Sequence, residues 1–299
     1  INMKLFVWTD FDLDGTGSLM IIKWLYPDAD ISFMSTKVSA FRDDFIKWVK
    51  SGESIDKYDV VFFLDLDVST CVDLIDTNKS VIIDHHLSHF ENIKNYKHAK
   101  VIVEEYSSCV LLMYKKFKGK LNLNFNQKKL ILMIDDFDCH RLQIKGSLML
   151  NYLFTDLQRG EYKSKVDRFI AEFNDGFNDF NPLQLNIINF YENKIQRIIE
   201  SCEYFEGEVS IQKKPRRIKS AITDAGINDV CEYILNDGYD LAIAFNPKTN
   251  SVSFRTRCSD LDVSKVAEKL CNGGGHRYAA GGKLTDTFVE FTKLLKRVK

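Results

Sequence analysis

Five short apolar runs punctuate the first 105 residues: Lys4–Thr9, Ile31–Ser35, Val60–Leu64, Val81–Ile83 and Lys100–Val103. Each is shorter than a buried helix needs, and each predicts a strand covered on both faces. The stretches between them, Gly17–Tyr26, Ala40–Ser51 and Thr70–Asn78, mix apolar and polar residues at helical spacing. Strand and helix in alternation predict a parallel sheet flanked by helices, an α/β fold. Ser107–Phe117 and Gln127–Ile134 repeat apolar positions every three or four residues and predict two further helices.

A different pattern follows. From Leu183 to Phe205 there is no Gly or Pro, and Leu185, Ile188, Tyr191, Ile195, Ile198 and Ile199 keep a helical period. This predicts one long connecting helix, placed at 183–206. It separates a first domain, 1–182, from a second α/β domain, 207–299. The second domain shows strand-like runs at Val209–Gln212, Ser220–Thr223, Leu241–Asn246 and Ser251–Thr256. Ala225–Asn236 and Val263–Leu270 read as its helices. The basic run Lys213-Lys214-Pro215-Arg216-Arg217 reads as a solvated turn.

The polar residues that end the apolar runs carry the chemistry. Asp10, Asp65 and Asp84 each directly follow or close a run, and strand ends of a parallel sheet converge. In Asp10-x-Asp12-x-Asp14-Gly15 the acids recur at every second position, so in an extended chain they point one way. Such acids repel unless cations neutralise them. Oxygen ligands suit Mg²⁺ or Mn²⁺, and the imidazoles of Asp84-His85-His86 tilt the choice towards Mn²⁺. An EF-hand loop is excluded, because its twelfth position would be Ile21 instead of Glu. A solvated acidic turn ranks last, since the motif follows an apolar strand.

Composition narrows the picture. With 41 Lys+Arg against 42 Asp+Glu the chain of 299 residues has no bulk basic footprint, so any grip on nucleic acid is local. Seven cysteines form no CxxC pair, which argues against a zinc ribbon or disulfide framework and fits a reducing cytoplasm. No charged segment precedes a long apolar stretch at the start, and no run approaches the ~18 residues of a membrane span, so neither a signal peptide nor a membrane partner is expected.

Taken together, these motifs resemble the DHH phosphoesterase family, which includes RecJ-type exonucleases, nanoRNases and cyclic-dinucleotide phosphodiesterases. Asp10-Phe11-Asp12-Leu13-Asp14-Gly15 is similar to its first motif, in the RecJ-like form with Asp where many members have His. Phe63-Leu64-Asp65 looks like the second, and Asp84-His85-His86 is the third. The fourth requires an acid after a helix; Asp135, Asp136 and Asp138 all offer one, and the family pattern points to Asp136. The resemblance implies two divalent ions, Mn²⁺ preferred with Mg²⁺ as the alternative. Asp10, Asp12 and Asp65 would hold one; Asp14, Asp65, His85 and Asp136 the other. It implies His86 as a phosphate contact and Asp84 as the group that orients a histidine. Gly273-Gly274-Gly275-His276, followed by Arg277-Tyr278-Ala279-Ala280-Gly281-Gly282, resembles the signature of the family's associated C-terminal domain. Its amides and His276, with Arg255 on the preceding strand, would bind a substrate phosphate. The resemblance places the active site in a cleft between the two domains.

The expected reaction is metal-dependent phosphodiester hydrolysis of short oligonucleotides or small nucleotides from an end. An exonuclease on longer single strands and a cyclic-dinucleotide phosphodiesterase are the alternatives closest to it. Asp12-Leu13-Asp14-Gly15-Thr16 also resembles the nucleophile motif of haloacid-dehalogenase phosphatases, with Asp12 as nucleophile, but that reading gives Asp84–His86 no task. A catalytically dead nucleotide-binding protein is disfavoured, because every expected ligand is present. The sequence gives no oligomeric state.

Overall fold

A computed structural model of the chain describes residues 2–156 and 164–298. The chain divides into two compact units, Ile1–Ile188 and Asn189–Lys299. In the first, β1 (Lys4–Asp10), α1 (Leu13–Leu25), β2 (Asp30–Thr36), α2 (Phe41–Lys50), β3 (Val60–Leu64), α3 (Val72–Ile75), β4 (Ser80–Asp84), α4 (Leu87–Phe90) and β5 (Lys100–Val103) alternate. Four more helices follow: α5 (Cys109–Phe117), α6 (Phe125–Asp138), α7 (Ser147–Asp156) and α8 (Lys165–Phe173). A long helix, α9 (Pro182–Ser201), then spans the division between the units.

The five strands form one sheet in the order β2-β1-β3-β4-β5, and every described pair in it is parallel. The order reverses between β1 and β3, so the carboxyl ends of those strands flank the crevice where open α/β sheets place ligands. Five strands were expected and five are found, two with the expected bounds and three longer by one residue at one or both ends. The expected helix at Thr70–Asn78 shrinks to the single turn of α3.

One face of the sheet is aromatic. Phe41, Phe45 and Trp48 recur on α2 at helical spacing and pack with Phe6, Trp8 and Phe63. Burying side chains of this size contributes roughly 1.5–3 kcal/mol each. On α1, every residue from Leu13 to Ile22 is buried, so α1 is a core helix more than an amphipathic one. Gly17 allows that depth: a Cβ there would stand 2.8 Å from Ile134 Cδ1 and 3.1 Å from Val110 Cγ2. The glycine thus lets α5 and α6 close onto α1, which decides what surrounds Asp14.

The second unit holds β6 (Glu203–Ile211), β7 (Lys214–Ile222), α10 (Ile227–Asn236), β8 (Leu241–Asn246), β9 (Ser251–Arg255), α11 (Val263–Cys271), β10 (Gly274–Gly275), β11 (Ala279–Lys283), α12 (Asp286–Thr292) and β12 (Lys296–Val298). Its seven strands run in the order β10-β11-β9-β8-β7-β6-β12, antiparallel except for the parallel pair β7–β8. Two expectations change here. The helical period expected to continue to Phe205 stops at Ser201, because Glu203–Ile211 pairs residue for residue with β7. The basic run is strand for most of its length. Only Gln212 and Lys213 turn, both with positive φ, as a tight hairpin requires. Arg216 is 6% exposed and paired with Asp260 at 3.0 Å.

Candidate active site

The site of the first unit grows from three strand ends. At the end of β1 the chain turns at once into α1, with Asp12 as its N-cap accepting the Gly15 amide at 2.9 Å. Gly15 is required sterically, since a Cβ there would lie 2.5 Å from the Asp10 carbonyl oxygen. Its absence brings the first turn of α1 against β1 and gathers Asp10, Asp12 and Asp14. The helical start also settles the EF-hand question, because no twelve-residue loop exists here.

Asp14 points to the start of α5, where its carboxylate accepts the amides of Cys109 (2.6 Å) and Val110 (2.9 Å). A helix N-terminus stabilises negative charge. Burial works against it, reinforced by the charge of Asp12, and pushes the Asp14 pKa up to about 7. Asp10 is likewise raised to about 7, by burial first and Asp12 second. Asp65, one residue past β3, is held at φ +56, a region costly for a residue with a side chain. It is 2% exposed, and its Oδ1 has no hydrogen-bond partner among the described residues. Burial raises its pKa well above the carboxylate range, and Asp14 and Asp12 add to that.

The end of β4 supplies the imidazoles. His85 Nδ1 lies 3.1 Å from the Tyr106 carbonyl, which can only accept, so Nδ1 carries the proton. That bond turns Nε2 towards Asp65 Oδ1 (3.3 Å), Asp14 Oδ2 (3.7 Å) and Asp138 Oδ2 (3.8 Å). Two donor groups of metal-ligand spacing result, Asp65–His85–His86 and Asp14–His85–Asp138, each with atoms within 4.8 Å of one another. A buried carboxylate oxygen without a donor, amid acids that cannot all ionise together, is what a divalent cation would satisfy. The residues therefore fit a metal.

Asp84 lies beneath this cluster and holds it. Its Oδ1 accepts from His86 Nδ1 at 2.7 Å, and its Oδ2 accepts from His89 Nδ1 at 2.7 Å. Burial alone would raise the Asp84 carboxyl, but the two imidazoles outweigh it and hold its pKa far below the usual range. Burial likewise works to lower the His86 pKa; Asp84, followed by Asp14 and Asp12, wins and raises it to about 9. His86 is thus an imidazolium at neutral pH, able to donate to an anion. Buried His89 completes a chain, its Nε2 lying 2.9 Å from the Tyr96 hydroxyl.

The three acids of α6 have three different tasks. Asp135 accepts from Ser107 and Ser108 and pairs with Arg141. Asp136, expected as a metal ligand, faces the other way. It accepts the amides of Gln143 (3.1 Å) and Ile144 (2.9 Å) and the Ser147 hydroxyl (2.7 Å), with Arg141 Nε at 3.7 Å. Its oxygens are committed to fixing residues 143–147. Asp138 is the acid that reaches His85, and burial, with Asp14 and Asp12, raises its pKa well above the carboxylate range.

In the second unit Gly273–His276 forms a hairpin edge. Gly274 and Gly275 pair with Gly281 and Ala280 of β11, and His276 and Ala279 close the turn with reciprocal backbone bonds of 2.8 and 3.2 Å. A Cβ at Gly273 or Gly275 would meet backbone oxygen at 2.0 or 2.7 Å, whereas one at Gly274 would meet nothing within 4 Å. Two of these glycines are steric necessities, and the third leaves backbone open to approach. Arg255 on β9 donates to the carbonyls of Phe254 (2.8 Å) and Ala280 (3.3 Å) and to Asn228 Oδ1 (2.7 Å). Those acceptors are uncharged, so the guanidinium charge is not neutralised by them.

His89 and Tyr96 were missed by the sequence reading, which weighed Asp138 for the fourth motif but preferred Asp136. His89 had a signal, three residues after His86 at the start of a helical turn.

Residues 4–136 match the model described as the DHH family, N-terminal domain. No curated protein matches the sequence. Among solved structures the chain is similar to a pGpG-specific phosphodiesterase, PggH, from Vibrio cholerae, at 15% identity and TM-score 0.52, covering 98% of this chain and 96% of that one. It is similar to an exopolyphosphatase-related protein from Bacteroides fragilis at 14% identity and TM-score 0.54, covering 98% and 90%. RecJ from Thermus thermophilus, in complex with Mn²⁺, matches at 11% identity and TM-score 0.48, covering 97% of this chain and 51% of that one. No helix among the described residues is long and apolar enough to cross a membrane.

Proposed function

The chain belongs, through its N-terminal domain, to the DHH family of metal-dependent phosphoesterases, and from that premise we propose that it hydrolyses phosphodiesters in short oligonucleotides or small nucleotides, from an end. The observation that carries this reading is the convergence of Asp14, Asp65 and Asp138 on His85 Nε2, with Asp65 Oδ1 buried and unpartnered. Asp10, Asp12 and Asp65 would hold one divalent ion. Asp14, Asp65, His85 and Asp138 would hold a second, Asp138 taking the place expected of Asp136. Mixed oxygen and imidazole donors favour Mn²⁺, with Mg²⁺ as the alternative. When bound, such ions supply an acidified water and positive charge for phosphoryl oxygens.

The chain's own residues do the rest. His86 donates to a phosphoryl oxygen as imidazolium, and Asp84 keeps it charged and oriented. The Tyr106 carbonyl fixes the His85 tautomer so that Nε2 presents a lone pair. The open amides about Gly274, with Gly273, Gly275, His276 and Arg255, bind a second phosphate of the substrate. A distal phosphate contact favours short or terminal substrates, and a fold neighbour named for action on pGpG fits that preference. The dehalogenase-type alternative leaves His85, His86 and the glycine hairpin without a task.

The test is hydrolysis of dinucleotides, longer single strands and cyclic dinucleotides after exhaustive chelation and after Mn²⁺ or Mg²⁺ is restored. We expect dinucleotide hydrolysis that returns only with metal, Mn²⁺ at least matching Mg²⁺. Full activity without metal, or a trapped phosphoryl group on Asp12, overturns the reading.

A further inference from the structure

Lys165 opens α8 with its ammonium between two rings. Nζ stands 4.1 Å from the centroid of Phe11 and 4.1 Å from that of Phe154. Phe154 is 1% exposed and gives the clamp a fixed wall, while Phe11 is the residue between Asp10 and Asp12. The amine is therefore anchored to the acidic motif itself. It feels the charges of Asp12 and Asp10 as attraction and that of Lys37, at the end of β2, as repulsion. Yet among the described residues it makes no ion pair and no hydrogen bond. The rings hold a half-buried cation close to the acids but short of contact, its three N–H groups meeting no acceptor among the described residues. Burial pushes its pKa down to about 8, so it keeps its charge at neutral pH.

A cation needed only to balance the acids would pair with one of them. A stem needed only for packing would not carry an ammonium into a half-buried position, since that costs desolvation. Both facts are accounted for when the acceptor arrives with the substrate. We infer that Lys165, backed by the charge of Lys37, binds a non-bridging oxygen of the scissile phosphoryl group, as a substrate-positioning cation of the first unit. This rests on the phosphodiesterase reading above. Charged hydrogen bonds to phosphate are strong, and the two rings limit the freedom such a lysine would lose on binding. The consequence is a division of tasks: Lys165 serves any phosphodiester, whereas the glycine hairpin serves only substrates with a further phosphate.

The experiment compares Lys165→Met, which keeps the stem between the rings, Lys165→Arg, which restores charge, and His276→Ala. Each is assayed with Mn²⁺ on a dinucleotide and on bis-p-nitrophenyl phosphate. Separately, inorganic phosphate binding to the Mn²⁺-loaded protein is measured by calorimetry. With Lys165→Met we expect unchanged Mn²⁺ affinity and melting temperature. We expect kcat/KM to fall by roughly 10-fold or more on both esters, the size of one charged hydrogen bond. Phosphate affinity should weaken by a similar factor, and Lys165→Arg should recover part of each loss. His276→Ala should lose more on the dinucleotide than on the small ester, whereas Lys165→Met should lose equally on both. Phosphate affinity and both kcat/KM values within twofold of wild type in Lys165→Met overturn the inference. Wild-type protein that binds phosphate through Lys165 but hydrolyses neither ester overturns the phosphodiesterase reading and leaves the anion site standing.

Discussion

The acidic cluster of the first unit is built by burying groups that repel one another, whereas the glycine hairpin of the second is built by leaving side chains out. In the cluster, Asp10 and Asp14 are raised to about 7, and Asp65 and Asp138 are raised well above the carboxylate range, so the bare arrangement is electrostatically incomplete. In the hairpin, Gly273 and Gly275 are demanded by backbone oxygens at 2.0 and 2.7 Å. On the function proposed above, the first site takes cations and the second lets an anion approach backbone. Perturbing the two should therefore produce different signatures, one in metal binding and chemistry, the other in stability and substrate capture.

The largest effect should come from Asp65→Asn. If Asp65 is shared by both ions, its loss removes several kcal/mol of charge stabilisation, a fall on the order of 10³-fold in kcat. The folded chain should survive, relieved of a buried carboxylate with no hydrogen-bond donor on Oδ1. Circular dichroism and turnover measured on the same sample check both halves. A variant retaining a tenth of wild-type turnover would remove Asp65 from the centre of the site.

Next comes the contrast between neighbours on α6. Asp138→Asn should lose activity and Mn²⁺ affinity, by roughly 10- to 100-fold in each, with little change in melting temperature. Asp136→Asn should instead destabilise, by about 1–3 kcal/mol, because it weakens the acceptor of Gln143, Ile144 and Ser147. The opposite assignment of the two phenotypes would restore the sequence-based expectation for Asp136.

That expectation shows where the sequence was legible. Asp10, Asp65 and Asp84 stood out because each interrupts an apolar run where a parallel sheet converges. Asp135, Asp136 and Asp138 lie at a helix end, and which one faces the site depends on Arg141, Gln143, Ile144 and Ser147 beyond it. No local pattern encodes that. The start of β6 was hidden for a related reason: Tyr204 and Phe205 continue the helical period of α9, and only the nine-residue pairing with β7 makes them strand. Lys165 was unreadable, since its meaning comes from Phe11, 154 positions earlier, and from buried Phe154. The fold was legible from hydrophobic spacing; the partners that complete the site come from distant turns and helix ends.

A smaller effect separates the units by pH. Asp10 and Asp14 titrate near 7 in the metal-free fold but near 3.9 unfolded, so between those values the native state binds more protons. Stability then falls as pH rises. Calorimetry of chelated protein should show a declining melting temperature from about pH 4 to 7, and saturating Mn²⁺ should flatten or reverse that slope. Equal slopes with and without Mn²⁺ would mean that these acids do not bind it. The smallest effects belong to the hairpin. Gly274→Ala should shift the melting temperature by no more than a degree or two, whereas Gly275→Ala, at φ +138, should lower it clearly. Equal shifts would contradict the steric account.

The most direct test of the central claim is anomalous diffraction from crystals of the protein grown with Mn²⁺. The account predicts two peaks in the first unit, both touching Asp65, one also ligated by Asp10 and Asp12, the other by Asp14, His85 Nε2 and Asp138, with Asp136 still bound to Gln143, Ile144 and Ser147. No peak at Asp65, or ligation by Asp136 with Asp138 turned away, would contradict it.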